Sequence, residues 1–209
     1  MIEIWHCDLN TLPANKHAEL LANSEKLDPQ AAACFPDKTK QLHRLANRRM
    51  IQKKTGCDLK DLKFTPHGKP FLKAGPHFSI AHDANWVLVA FADLDLGIDV
   101  QAMVPRIIST LVTRFHPEEQ EYLNALSEKE QLQAFYRIWT RKESLLKASA
   151  VGMTVELNAF SVLSDHISFR GMGWTFVDIS RFEQMACCLC VPEAQVSLII
   201  QFVSANPEI

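Results

Sequence analysis

The sequence predicts an α+β fold of two halves similar in build, 1–103 and 104–209. Three observations lead there. Helical spacing of apolar residues is concentrated at about 15–55 and 106–148. Each helical stretch is followed by short strand-like runs, at 59–100 and beyond Gly152. Between the halves, Met103-Val104-Pro105-Arg106 breaks any strand or helix that would join them.

The elements follow in order. IEIWHC at the start alternates as a short strand. A helix is expected over about 15–27. A second, basic helix, KTKQLHRLANRRMIQKKTG, stops at Gly56, a residue suited to a helix end. Its Arg44 and Arg48 are four apart and share a face. KFTPHGKPFL holds proline and glycine and predicts a strand and turn. HFSIAHD, a turn at Asp83–Asn85 and NWVLVAFADLD predict a hairpin. In LGIDVQ, residues Leu96, Ile98 and Val100 fall on one face and Asp99 and Gln101 on the other. A helix over 106–115 comes next, then one opened by His116-Pro117-Glu118-Glu119. The longest helix spans 127–148 and begins with a capping box, Ser127 to Glu130. FSVLSD, ISFRGMGWTFVDI, QMACCLCV and VSLIIQFV are strands.

Composition narrows the function classes. Of 209 residues, 47% are hydrophobic and 22% charged, the balance of an ordinary globular protein with a sizeable core. No apolar run is long enough to cross a bilayer as a helix, and the first residues lack the basic-then-apolar pattern of a secretion signal. A cytoplasmic protein is expected. The net charge of −2 offers no broad attraction to nucleic acid or an anionic membrane. The cysteines of CCLC lie in an apolar strand-like run with no histidine at ligand spacing, so buried strand cysteines are expected there.

Three segments carry polar chemistry. GIDVQ puts Asp99 at the end of an apolar strand, where a carboxylate must be paired, hydrogen-bonded or metal-bound; a turn or cap role is the plain alternative. WTRKESLLK puts Glu143 and Lys147 four apart on one helical face, which also describes an ordinary surface ion pair. HFSIAHD ends a strand with His82. Two carboxylates with basic side chains nearby suit a hard cation such as magnesium and the phosphate oxygens it carries.

Taken in order, these segments resemble the Sfp-type 4′-phosphopantetheinyl transferases. The residues that carry the resemblance are GKP (Gly68 to Pro70), AHD (Ala81 to Asp83), GIDVQ, FHPEEQEYL and WTRKESLLK. The resemblance covers about 41–153. It implies a monomer of two α+β halves, each a mostly antiparallel sheet packed with a long helix, with a coenzyme A cleft between them. It implies transfer of the 4′-phosphopantetheine group from coenzyme A to a serine of an acyl or peptidyl carrier protein, releasing adenosine 3′,5′-bisphosphate. Carried over by position, Asp99 and Glu143, with Gln101, would hold magnesium or manganese against the pyrophosphate. His82 and Arg44 would bind the 3′-phosphate, Lys69 and Pro70 would line the adenine pocket, and Lys142 and Lys147 would contact the pyrophosphate. Lys147 could protonate the leaving bisphosphate, and Glu119 is the candidate base or extra metal ligand. A basic or apolar patch over 104–126 would meet the acidic carrier.

This chain departs from the family pattern at three positions. Gln101 stands where many members have glutamate, and Ala81 and Asp83 stand where the pattern has serines. Of these, Gln101 and Asp83 support an alternative, a relative that binds coenzyme A or a carrier without transfer. A third reading, apart from the resemblance, is another magnesium-dependent phosphoryl or nucleotide enzyme built on Asp99 and Glu143; it predicts nucleotide hydrolysis with no carrier present.

Overall fold

The computed structural model describes residues 1–24, 28, 37–105, 108–193 and 198–206, the side chains of 109 and 153 excepted. The last residues of the first helix, the start of the helix expected at 106, Arg106 and Cys34 lie outside them.

The chain runs β1 (Ile2–Asp8), α1 (Ala14–Ala22), α2 (Lys38–Thr55), β2 (Lys63–Phe64), β3 (Pro70–Phe71), β4 (His77–Asp83), β5 (Trp86–Ala92) and β6 (Gly97–Ala102). It continues through α3 (Ser109–Val112), α4 (Pro117–Asn124), α5 (Glu128–Ala148), β7 (His166–Phe169), β8 (Met172–Asp178), β9 (Met185–Pro192) and β10 (Ile200–Ser204). The ends are specified locally. Asp37 accepts hydrogen bonds from Thr39 N and Lys40 N at the start of α2, and Gly56, at φ 68°, ends it in the left-handed conformation. Capping boxes open α4, from His116 and Glu119, and α5, from Ser127 and Glu130.

Two four-stranded sheets form, in the orders β10-β1-β5-β4 and β6-β9-β8-β7. All pairings are antiparallel except β1 with β10, which run parallel. The sheets exchange strands across the 103/104 division. β6 belongs to the second sheet, and β10 returns from the far end of the chain to the first. This exchange is why β4 and β6 are facing edges. Ser79 Oγ on β4 accepts from Ile98 N of β6 at 3.1 Å, and Asp83 Oδ2 accepts from Ala102 N at 2.7 Å.

Strand alternation sorts the apolar side chains into three cores. Ile4, Leu88, Ala90, Ile98, Val100, Cys187 and Leu189 fill the space between the sheets. Val87, Val89 and Phe91 face the other way and meet Leu45, Met50 and Ile51 of α2. Phe176, Cys188 and Cys190 meet Phe135, Leu145 and Leu146 of α5. The layers are therefore helix, sheet, sheet, helix. Each fully buried Leu, Ile or Phe contributes about 1.5–3 kcal/mol. The cysteines of CCLC split between two cores, and burial pushes their thiols above the ordinary range.

Gly97 sets the distance between β6 and α5. A Cβ there would stand 1.9 Å from Ser144 O and 2.5 Å from Ala148 N, both backbone atoms. The helix can lie this close only because position 97 has no side chain. Gly97→Ala is expected to push α5 off β6 and destabilise the fold by at least about 1–3 kcal/mol, read in a urea titration. A wild-type midpoint would mean that α5 shifts without cost.

Candidate active site

β6 and α5 bring four of the expected residues together. Asp99 faces α5 from the edge strand and is only 4% exposed. Lys147 Nζ donates to Asp99 Oδ1 at 2.7 Å and to Ile98 O at 3.0 Å. Gln101, two residues along the same face, donates from Nε2 to Asp99 Oδ2 at 3.2 Å. Burial pushes the Asp99 carboxyl above the usual range, outweighing the lowering by Lys147 and Gln101. Glu143 lies one helical turn before Lys147 and has no hydrogen-bond or ion-pair partner among the described residues. Burial, then the charge of Asp99, raises its carboxyl too, while Lys147 works the other way. Two carboxylates thus stand near one ammonium, which is paired with Asp99 alone among the described residues. Asp99 and Glu143 are the residues here that could hold a hard cation such as magnesium, although no cluster of three or more His, Cys, Asp or Glu side chains is placed to do so among the described residues.

A pH-dependent result follows from these directions. A carboxyl whose folded pKa is raised stabilises the fold when protonated, and that stability is lost as pH rises through the raised value. Without added metal, Glu143→Gln is expected to melt higher than the parent at pH 7.5. The advantage should vanish as pH falls into the ordinary carboxylate range. Equal melting at both pH values would mean that Glu143 carries no such burden.

Beside this group lies a groove of about 240 Å³, lined by Lys69, Pro70, Ser79, Glu143, Lys147 and Gly152 among others. The β2–β3 turn places Lys69 and Pro70 there, opposite α5. Lys69 Nζ donates to Leu96 O at 3.1 Å, and burial lowers the ammonium from its ordinary value. The groove lies between the β2–β3 turn, β4 and the C-terminal part of α5.

His82 stands on the end of β4. Its ring stacks on His43 of α2, with centroids 4.7 Å apart, and His43 Nε2 meets Ala84 O at 2.8 Å. Desolvation by the surrounding protein, then the nearby His43 and Lys147, lower the His82 pKa to about 4, so the ring is neutral at pH 7. Asp83 turns away to Ala102 N and ties β4 to β6. Arg44, expected beside His82 at a phosphate, pairs with Asp28.

Glu119 and Lys142 are buried against each other and are not among the residues that line the groove. Lys142 Nζ lies 2.8 Å from Glu119 Oε2, with the side chains 1% and 0% exposed. The ammonium also donates to Leu157 O and Phe160 O, and Glu119 accepts from His116 N and Val162 N. Burial lowers the Lys142 pKa, and Glu119 opposes that shift. The reason is α5's geometry. Lys142 and Glu143 are adjacent in sequence but about 100° apart around the helix, so one turns into the core as the other faces the groove. The pair fastens α4 and the 157–162 segment to α5.

The sequence reading missed His43, Ser79 and Asp28. Each acts through a neighbour distant in sequence, so local spacing gives no signal for it.

Fold and site together describe a two-sheet α+β protein with a carboxylate–lysine cluster beside a groove. The ACPS family, the 4′-phosphopantetheinyl transferase superfamily, matches residues 95–187, the stretch that supplies Asp99, Gln101, Glu143 and Lys147. A candidate 4′-phosphopantetheinyl transferase of Synechocystis sp. is 30% identical over 75% of this chain and 68% of its own length. A 4′-phosphopantetheinyl transferase of Bacillus subtilis is 36% identical over 50% of this chain and 49% of its own. The 4′-phosphopantetheinyl transferase Sfp of Bacillus subtilis strain 168 is 33% identical over 55% and 53%. The chain belongs to the Sfp-type 4′-phosphopantetheinyl transferase family. Its matches span about half the length of the Bacillus relatives. Among the described residues, no helix is long and apolar enough to cross a membrane.

Proposed function

We propose that this protein moves the 4′-phosphopantetheine group of coenzyme A onto a serine of an acyl or peptidyl carrier protein, with magnesium bound at Asp99 and Glu143. The cluster of Asp99, Glu143 and Lys147 beside a groove lined by Lys69 and Pro70 carries this reading. The serine Oγ bonds to the β-phosphorus, the bridging phosphorus–oxygen bond breaks, and its electron pair leaves on the α-phosphate of adenosine 3′,5′-bisphosphate. When bound, the metal withdraws charge from the phosphoryl oxygens. Lys147 has three N–H donors, two of which are taken by Asp99 and Ile98, so the third can reach a phosphate oxygen. Glu143 is the carboxylate that can ligate the metal or accept the serine proton. Lys69 adds positive charge to the groove wall.

The carrier fits an open cavity of about 460 Å³ among Met103, Tyr122, Leu126, Arg137 and Met185, which adjoins the 104–126 segment. Apolar side chains would meet the carrier there, beside Arg137, which lies 3.9 Å from Asp178, and Glu130 on the same wall. We assign the protein to the cytoplasm and expect a monomer.

The test is the intact mass of an apo carrier after incubation with protein, coenzyme A and magnesium, with and without enzyme. A gain of one phosphopantetheine group is expected. No gain across several carriers overturns the reading.

Gln101 favours a second reading, a coenzyme A-binding relative without transfer, because the neutral amide beside Asp99 supplies no charge for a metal. Ligand would then raise the melting temperature with no modified carrier. If transfer occurs, Gln101→Glu is expected to lower the magnesium needed for half-maximal rate. An unchanged titration would show that position 101 does not reach the metal.

A further inference from the structure

Side chains close the outer edge of β6. β4 and β6 belong to different sheets, and a hydroxyl and a carboxylate of β4 stand where a neighbouring strand would offer carbonyls. Ser79 Oγ accepts from Ile98 N at 3.1 Å, and Asp83 Oδ2 accepts from Ala102 N further along. The carbonyls of the same edge are taken by two lysines of the groove. Lys69 Nζ donates to Leu96 O at 3.1 Å, and Lys147 Nζ donates to Ile98 O at 3.0 Å. Alternate residues of a strand turn their backbone groups to one edge, so positions 96, 98 and 102 act together. Ile98 is therefore held at its N–H by Ser79 and itself holds Lys147 at its carbonyl.

Ser79 is 3% exposed and lines the groove with Lys69, Glu143 and Lys147. Its side chain is too short to follow a strand that moves, so this bond sets the spacing of β4 and β6 beside Asp99. Lys147 Nζ is held at two points of β6, Ile98 O and Asp99 Oδ1, both within one residue of the Ser79 bond.

We propose that Ser79 is a positioning residue for the transfer reaction: by holding Ile98 N, it fixes the stretch of β6 that aims Lys147 into the groove. The inference rests on the transferase reading above and adds a residue to it. The chain of contacts runs from Ser79 to Ile98, from Ile98 to Lys147, and from Lys147 to a phosphate oxygen. Without the hydroxyl, Ile98 N loses its acceptor and β6 is free to shift from β4. The third donor of Lys147 then misses the phosphoryl oxygens as charge moves between them. The walls that bind the rest of the ligand are untouched, so the loss falls on kcat and spares KM.

The experiment compares the parent with Ser79→Ala, Ser79→Val and Ser79→Thr. Valine and threonine are both β-branched and differ in the hydroxyl, so that pair isolates the acceptor. Steady-state transfer to an apo carrier gives kcat and KM for coenzyme A. In Ser79→Ala and Ser79→Val, kcat should fall about tenfold, with KM within about twofold of the parent. Ser79→Thr should keep kcat within about threefold of the parent. A second readout needs no turnover. The protein alone is labelled with a limited amount of acetic anhydride, and Lys147 is compared by peptide mass spectrometry with Lys60, whose side chain is 90% exposed. The Lys147-to-Lys60 ratio should rise about fivefold in Ser79→Ala and Ser79→Val and stay at the parent value in Ser79→Thr. Parent kcat in folded Ser79→Val overturns the proposal. So does a rise in KM alone, the mark of direct contact with coenzyme A, or an equal loss of kcat in Ser79→Val and Ser79→Thr. If the variants lacking the hydroxyl do not fold, Ser79 is structural and the proposal falls. Absence of transfer by the parent overturns the transferase reading instead; the labelling then decides whether Ser79 positions Lys147, and an unchanged ratio removes that as well.

Discussion

Asp99→Ala and Glu143→Ala should each lower the rate of carrier modification by at least about a hundredfold, the usual cost of removing one preorganised charged group at a phosphoryl centre. The structure explains why activity should go while the fold stays. Asp99 contributes no apolar packing to the cores, and Lys147, freed from it, still donates to Ile98 O and is 30% exposed at its side chain. Glu143 has no partner among the described residues to lose, and its charge is a burden near Asp99. Intact-mass time courses and circular dichroism on the same samples check both halves of the statement. Parent rates from both folded variants would remove the metal site from consideration. Unfolding of both would mean that the carboxylates are structural.

The opposite outcome is expected for Glu119 and Lys142. Removing one partner of a fully buried ion pair strands the other charge, at a cost of about 3–5 kcal/mol. Glu119→Ala also leaves His116 N and Val162 N without their acceptor. At about 2–4 °C per kcal/mol for a chain of this size, the melting temperature should fall by roughly 10 °C. Lys142→Met should fall comparably, since the buried Glu119 would lose its counter-ion. The double variant Glu119→Gln with Lys142→Met should recover part of the loss, because neither side then keeps a buried charge and the glutamine oxygen can still accept. A base acting on the carrier serine predicts another pattern: Glu119→Gln would melt like the parent and lose most of its rate. Thermal melts beside single-turnover rates separate the two.

Much of this was legible in the chain. Alternation in LGIDVQ placed Asp99 and Gln101 opposite the apolar face, and the structure has them so, with Leu96, Ile98 and Val100 at 0% exposure. The four-residue spacing put Glu143 and Lys147 on one helical face, and Gly56 and the Ser127–Glu130 box marked helix ends. Local rules act within one or two turns, which is why these readings held. Pairings set by tertiary packing were out of reach. Glu119 and Lys142 are neighbours only because α4 docks on α5, and a glutamate at a helix start looks the same whether its carboxylate caps a helix, holds a metal or meets a buried lysine. Asp28 reaches Arg44 and Arg48 from a segment with no pattern of its own. The exchange of β6 and β10 between sheets leaves no trace in periodicity, since a strand's alternation does not name its neighbour.

That exchange bears on how the chain comes into being. β1 leaves the ribosome well before β10, its parallel neighbour, which emerges roughly two hundred residues later. At about 5–20 residues per second, β1 spends some ten to forty seconds as an open strand edge. Its backbone donors and acceptors are then available to any other nascent strand. β5 covers the other side of β1, and Glu3 puts a charge on the strand, while that edge waits for β10.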